Sequence, residues 1–182
     1  MASLSERMMG AAMLNPATYE EVEADQGATG QAALVVIIAA IASGIASFTL
    51  GFGLVIGMVI ASLIGWVVWA LLTYYIGTKL MPEPSTHADL GQLLRVVGFA
   101  SAPGVLNILG IIPFLGWSIR FVVSLWQLAA MVVGVRQALD YSSTGRAVVV
   151  CLIGFVVQWI VMMLFLTFTY GGAAMMSPTF GY

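Results

Sequence analysis

Long stretches without a charged residue are the feature that most constrains this chain. Residues 31–50 and 54–77 contain no Asp, Glu, Lys or Arg. A helix that crosses about 30 Å of hydrocarbon needs about 20 mainly apolar residues, so both stretches predict membrane-spanning helices. The composition agrees, because 61% of the residues are apolar and 8% are charged, whereas soluble domains average about 45–50% and about 25%. We therefore expect an integral membrane protein rather than a soluble globule.

Three further apolar stretches complete a predicted all-α, polytopic bundle of five spans, at about residues 93–115, 116–139 and 146–170. The third stretch contains Pro103 and ends near Pro113. Because proline removes a backbone donor and clashes with the preceding turn, we expect this span to be kinked near Pro103. A re-entrant pair of half-helices over residues 93–115 is the alternative.

The predicted organisation has three parts. Residues 1–30 form a cytoplasmic or interfacial segment with short helices, residues 31–170 form the five-span domain, and residues 171–182 form a short outward-facing tail. Residues 4–14 are expected either to lie flat on the membrane surface or to form a mobile tail. The N-terminal segment does not begin with basic residues followed by a long apolar region, so we do not expect a cleaved signal peptide.

Short polar motifs predict where several helices and turns lie. Asn15 followed by Pro16 has the pattern of an N-cap and a first helical residue. Thr86 and Asp89 have the spacing of a capping box before the third span. Residues 142–144 supply hydroxyls that could cap the last span. Residues 51–53, Gly-Phe-Gly, are expected to form a tight turn between the first two spans.

The distribution of basic residues predicts the orientation. An odd number of spans puts the two termini on opposite sides, and Lys and Arg are enriched in cytoplasmic loops. Five of the six basic residues fall on the N-terminal side and Arg120 falls on the other; the five are Arg7, Lys79, Arg95, Arg136 and Arg146. We therefore predict a multi-pass protein of the cell inner (plasma) membrane, with a cytoplasmic N-terminus and an outward C-terminus.

Small residues spaced four apart mark candidate helix-packing faces, since they let helices approach closely in lipid. The longest series lies in the second span, and shorter ones lie in the first and fourth: Gly53, Gly57, Ala61 and Gly65; Ala40 and Gly44; Ala130 and Gly134. Because the first two spans are joined by so few residues, we expect their small faces to pack together as an antiparallel hairpin. A homodimer face is the alternative.

Polar residues within the spans are the other candidate positions. We expect Arg120 to extend its side chain to the lipid headgroups, with pairing to a carbonyl freed by a proline and a transport role as alternatives. Arg95, at the opposite interface, is interpreted in the same way. Asn107, Gln127 and Gln158 lie at middle depths, where amides usually bond between helices. A polar path for a solute is the alternative for these three residues.

The sequence predicts no catalytic residue, cofactor or metal site. His87 and Cys151 are each the single residue of their type, which excludes a disulfide framework and a clustered zinc site within the chain. No phosphate-binding loop or hydrolase elbow occurs. The formal net charge of −2 provides no basic field for nucleic acid. The expected partners are the lipid bilayer and either a second copy or other membrane proteins.

The order of several short motifs resembles the prokaryotic branch of the Yip (Ypt-interacting protein) family over roughly residues 12–170. The motifs are Leu14-Asn15-Pro16, then residues 95–103, 112–117, 125–128, 133–138 and 142–147. The resemblance implies a five-span membrane protein with a cytoplasmic N-terminus. Eukaryotic relatives act in vesicle traffic and associate with Rab-type GTPases. Their cytoplasmic Asp-Leu-Tyr-Gly-Pro-type motif is not present here, so Rab binding is not expected.

We predict from these features a non-enzymatic membrane scaffold or adaptor that works by lateral helix packing with itself or with other membrane proteins. A small permease or channel lined by Asn107, Gln127 and Gln158 is one alternative. An accessory subunit of a larger membrane complex is another, and the sequence does not separate it from a scaffold because both need only lateral helix surfaces.

Overall fold

The computed structural model describes residues 2–46, 52–112 and 114–176, and the regular structure within those ranges is entirely helical. This confirms the predicted all-α class. The helices are α1 (Leu4–Ala12), α2 (Pro16–Ala24), α3 (Ala28–Ile45), α4 (Phe52–Tyr75), α5 (Leu90–Ala100), α6 (Gly116–Ala138) and α7 (Thr144–Met176). A π-helical turn, Ile76–Leu80, extends α4, and a 3-10 segment, Ala102–Ile111, follows α5.

Five helical segments are long and apolar enough to cross a membrane, which confirms the predicted number of candidate spans. They are Ala28–Ile45, Val55–Leu80, Leu90–Ile111, Gly116–Ala138 and Thr144–Val161. The expected turn at residues 51–53 is not seen as such, because Phe52 and Gly53 already belong to α4. Residues 47–51 and 177–182 lie outside the described ranges. The last helix continues past residue 170, where we expected the span to end.

The third span changes helix type at its proline. The α-helical part ends at Ala100, and the 3-10 segment begins one residue before Pro103. The Ser101 N–H donates to the Gly98 carbonyl at 3.1 Å, a bond one residue shorter than in an α-helix. Because proline cannot donate to the preceding turn, the α-helix gives way to a 3-10 helix at the position where we expected a kink. Pro113 lies outside the described residues.

The helix starts are capped as the sequence predicts at two positions and differently at a third. Asn15 accepts a bond from the N–H of Ala17, and Ser143 Oγ accepts one from the N–H of Gly145 at the start of α7. The capping box predicted for Thr86 is wrong, since Asp89 is the N-cap of α5. The Thr86 hydroxyl instead donates to the Leu139 carbonyl.

Small residues bring the central helices into backbone contact. A Cβ added to Gly98 of α5 would lie 2.7 Å from the Cβ of Ala32 and 3.0 Å from its carbonyl oxygen. A Cβ added to Gly134 of α6 would lie 2.6 Å from Val96 Cγ1 and 3.1 Å from Tyr19 Cε1. Such close approach replaces the hydrophobic effect as the source of helix association in lipid.

One end of the bundle gathers the start of α1, the end of α2, the loop 81–89 and the connection 139–143, and we call it the N-terminal end. Tyr141 Oη donates to the Met81 carbonyl at 2.8 Å, and Arg146 Nε pairs with Glu83 Oε1 at 3.0 Å. These segments follow an even number of spans, so alternate crossing predicts that they share a side. Residues 4–14 start at this end, and α1 packs against α2, α5, α6 and the 3-10 segment rather than forming a free tail.

Candidate functional site

A polar cavity of about 280 Å³ lies among α3, α4, the 3-10 segment and α6. Polar side chains are costly at membrane depth unless they face a partner or a water-accessible cavity. Most of the polar residues here are only half-buried, which leaves part of their surface available to a small molecule. The lining consists of Val36, Ala39, Ala40, Ser43, Ser62, Gly65, Trp66, Trp69, Ser101, Asn107, Gln127 and Met131.

The cavity brings together two of the three predicted intramembrane amides. Asn107 and Gln127 line it from the 3-10 segment and from α6, and Gln127 Nε2 donates to the Ser101 carbonyl at 3.4 Å. Gln158 is not part of the lining. Its Oε1 is buried and finds no hydrogen-bond partner among the residues that the structure describes. The predicted three-amide path is therefore reduced to two amides and several hydroxyls.

Gly104 gives the Gln127 amide its place in the cavity wall. A Cβ added to Gly104 would lie 2.6 Å from Gln127 Nε2 and 3.0 Å from Ala39 Cβ. Pro103 thus ends the α-helix, and the glycine after it lets α3 and α6 approach the 3-10 segment. Sequence reasoning missed Gly104, although a glycine directly after a proline within a span is a signal that could have found it.

Arg120 lies beyond one end of the polar cavity. A second cavity of about 230 Å³ shares Ser43, Asn107 and Gln127 with the first and extends to Arg120. The exposed Arg120 donates from Nη2 to the Ala46 carbonyl at 3.2 Å, just after the last residue of α3. A cation is favourable at a helix C-terminus because the carbonyls there carry partial negative charge. This partner is a carbonyl at a helix end, not one freed by a proline.

The opposite end of the polar cavity is closed. Trp66, which lines the cavity, donates from Nε1 to the Leu94 carbonyl at 2.8 Å. Beyond it, Val35, Leu93 and Val96 are fully buried between α3, α5 and α6. The polar surface therefore extends from mid-bundle toward Arg120 and stops before the N-terminal end.

Three of the four small residues of α4 point away from the bundle, against our expectation of packing within the chain. Gly53, Gly57 and Ala61 are exposed, and a Cβ added to either glycine would meet no described atom within 4 Å. A Cβ added to Gly65 would also meet no described atom within 4 Å, but here the open space is the polar cavity. The reason is that α4 contacts α3 through another face, where Val55 lies against Gly44.

The other two small pairs are buried within the chain. Ala40 and Gly44 face α4 and the polar cavity, whereas Ala130 and Gly134 face the core beside α5 and α2. Only the α4 series among these three candidates leaves its small residues uncovered by the described part of the chain.

Arg95 does not extend to lipid headgroups as expected but is 5% exposed. Its Nε donates to the carbonyls of Val22 at 3.0 Å and Glu23 at 3.1 Å, and its Nη2 also contacts the Glu23 carbonyl. These carbonyls end α2, so a guanidinium on α5 caps that helix. The sequence gives no signal for this, since the partner atoms belong to the backbone of a distant segment.

Arg7 makes a second buried contact at the N-terminal end. It is 2% exposed and pairs through Nη2 with Glu21 at 3.0 Å and Asp25 at 2.7 Å. Its Nη1 donates to Gln31 Oε1 at 2.9 Å, which ties α1 to the start of α3. Arginine suits such a site because its fixed fork of donors serves several acceptors at once.

Glu23 carries a partly buried carboxyl group near Arg95. Gln92 Nε2 donates to Glu23 Oε1 at 3.1 Å. Burial, reinforced by the nearby Asp140 carboxylate, raises the pKa of Glu23 to about 7. The last turn of α2 is therefore a partly desolvated acidic region at the N-terminal end of the bundle.

Comparison with known proteins gives the family. A family model described as Yip1 domain matches residues 11–166, which is more than half of the chain. The chain belongs to the Yip1 domain family. The match begins in α1 and extends into α7, so the Yip1 domain includes the polar cavity, the break at Pro103 and the outward face of α4. No curated protein and no solved structure matched the chain.

Proposed function

We propose that this Yip1 domain protein is a non-enzymatic membrane scaffold that acts by lateral packing of its outward α4 face. The observation that carries the proposal is a groove of small residues that no described part of the chain covers, at Gly53, Gly57 and Ala61. A row of large side chains, 50–60% exposed, flanks this groove at Ile56, Ile60 and Ile64.

The geometry of α4 favours a second copy of the same chain as the partner. Residues four apart lie along one helix face, and the isoleucines are three residues from the small positions, so ridge and groove are neighbours. A face that carries both a ridge and a groove can pair with itself about a two-fold axis. In lipid, where van der Waals contact drives association, this match of shapes supplies the stabilisation.

Replacing Gly57 by Leu should convert the dimer to a folded monomer. Leu fills the groove, so the two copies lose close contact, yet the monomer has open space at this position. We expect the dissociation constant of the dimer to rise at least about tenfold. Chemical crosslinking in native membranes and light scattering in mild detergent measure this change.

Gly30→Leu is the matched control, because a Cβ there also meets no described atom within 4 Å but the residue lies on α3. It should leave the dimer intact. A wild-type protein that is monomeric in native membranes, or a dimer unaffected by Gly57→Leu, contradicts the proposal. If the purified chain is monomeric but copurifies with another membrane protein, the accessory-subunit alternative is favoured instead.

We further propose that residues 1–30 lie on the cytoplasmic side of a cell inner membrane and that the tail 171–182 faces outward. Five of the six basic residues fall on the same side of the five predicted spans as the N-terminus, and this excess supports the orientation. Rab-type GTPase binding is not part of this proposal, because the sequence lacks the Asp-Leu-Tyr-Gly-Pro-type motif of the eukaryotic relatives.

The polar cavity favours a second candidate function, passage of a small uncharged solute. Its lining offers hydroxyls and amides without a charged side chain, so it suits a neutral hydrogen-bonding molecule better than an ion. Arg120 at one end would repel cations. The closed end beside Trp66 would have to open for passage.

Glycerol influx into proteoliposomes tests this second function. Wild-type protein should raise the influx rate above that of protein-free liposomes, and Asn107→Leu should remove most of the increase because it takes a polar group out of the cavity. Gln158→Leu is the control, since it removes an amide that does not line the cavity. Equal influx with and without protein excludes glycerol passage.

A further inference from the structure

The N-terminal helix pair runs alongside α6 rather than across the end of the bundle. At the N-terminal end, Gln137 Nε2 donates to Glu20 Oε1 at 2.7 Å. One turn further into the bundle, a Cβ added to Gly134 would lie 3.1 Å from Tyr19 Cε1. Residue numbers decrease together along α2 and α6 between these two contacts, so the two helices run parallel to each other.

The turn between α1 and α2 reaches the middle of a membrane-spanning helix. Trp126 Nε1 donates to the Ala12 carbonyl, at the end of α1, over 2.7 Å. Trp126 lies 12 residues before Ala138, the last residue of α6. At 1.5 Å per residue this is about 18 Å along the helix axis, more than half of a hydrocarbon core about 30 Å thick.

Charge varies along these two helices rather than around them. The first helix has Glu6 and Arg7 near its start and continues with Met8, Met9 and two alanines. The second begins with Pro-Ala-Thr-Tyr and ends in acidic residues. Both helices are therefore apolar at the turn and charged at the N-terminal end, the order expected of a hairpin whose turn enters a bilayer.

The turn exposes apolar side chains and satisfies its own backbone. Met13 is 71% exposed and Met9 is 60% exposed. The Asn15 N–H donates to the Gly10 carbonyl and the Leu14 N–H to the Ala11 carbonyl, both at 3.0 Å. Satisfied backbone groups are the condition for entering hydrocarbon.

We propose that residues 8–19 form a re-entrant hairpin whose turn lies in the acyl chains of the leaflet at the N-terminal end. Lipid tails cover Met9 and Met13, which the residues described in the structure leave largely exposed. The ion cluster of Arg7, Glu21 and Asp25 remains at the membrane surface. This assigns a lipid-contacting role to a segment that precedes the first span, and it does not depend on dimerisation through α4.

Cysteine labelling in nanodiscs, which leave both membrane faces open, tests the hairpin. Single cysteines at positions 5, 9 and 13 are placed in a Cys151→Ala background (Ser5→Cys, Met9→Cys and Met13→Cys) and reacted with a charged maleimide. The rate should fall in that order and be at least about tenfold lower at position 13 than at position 5, because the reactive thiolate forms in water and not in hydrocarbon.

The exposure of Met13 makes the result decisive, since the described part of the chain does not shield this side chain and protection must come from lipid. Labelling after denaturation in detergent should be equal at the three positions. Equal, slow labelling rates at positions 9 and 13 would indicate a helix lying flat at the interface. Equal, fast labelling rates at all three positions would indicate a water-exposed N-terminal segment. Either result overturns the proposal.

Discussion

Gly98→Leu should be the most damaging single change in this Yip1 domain. The added side chain would begin 2.7 Å from the Cβ of Ala32 and 3.0 Å from its carbonyl oxygen. Backbone cannot rotate away as a side chain can, so α3 and α5 would have to separate. Overpacking a close contact costs about 1–3 kcal/mol and sometimes more, and we expect about 3 kcal/mol or more here.

The loss is measured as a lower midpoint for thermal unfolding in mild detergent. Gly30→Leu provides the matched comparison, because it adds the same side chain to a glycine with open space around it that lies outside the proposed dimer face. That protein should unfold close to the wild-type temperature. A Gly98→Leu protein as stable as Gly30→Leu would show that α3 and α5 are not packed at this contact.

Arg95→Met should have the second largest effect and should release the N-terminal helix pair. Met fills a similar volume but donates no hydrogen bond, so the carbonyls of Val22 and Glu23 lose their donor. A hydrogen bond to a charged group contributes about 1.5–3 kcal/mol, and more than one is lost. We expect α2 to detach and protease cleavage within residues 1–30 to become at least about tenfold faster.

Arg136→Met is the control for this experiment. Arg136 also donates to backbone carbonyls, of Tyr141 at 3.3 Å and Ser142 at 3.5 Å, but it is half-buried and its bonds are longer. Its removal should change the cleavage rate little. If Arg95→Met and Arg136→Met behave alike, the guanidinium of Arg95 does not hold α2 to the bundle.

The spans and several caps could be predicted from the sequence because their causes are local. Twenty apolar residues in a row require a membrane or a buried helix whatever their neighbours are. Asn15 before Pro16 caps a helix through atoms two residues apart, and Pro103 interrupts a helix by its own covalent structure. The wrong capping box at Thr86 shows the limit, since a competing acceptor on Leu139 lies 53 residues away.

The candidate site was predicted only in part for the same reason. Asn107 and Gln127 stood out as amides within spans, but nothing local distinguishes them from Gln158, which lies elsewhere. Gly104 and Ser101 contribute to the cavity only because α3 and α6 approach the 3-10 segment. Residues that matter only through such an approach of helices can be recognised once the relative positions of the helices are known.

The sequence alone determined that this chain is a five-span helical membrane protein, because charge-free length and proline chemistry act residue by residue. The tertiary structure decided which helix faces meet. In α4, apolar residues surround the whole helix, so no periodicity indicates that Val55 faces inward and Gly57 outward. It likewise decided that Arg95 caps a distant helix and that α1 and α2 run along α6, since both depend on contacts between segments far apart in the chain.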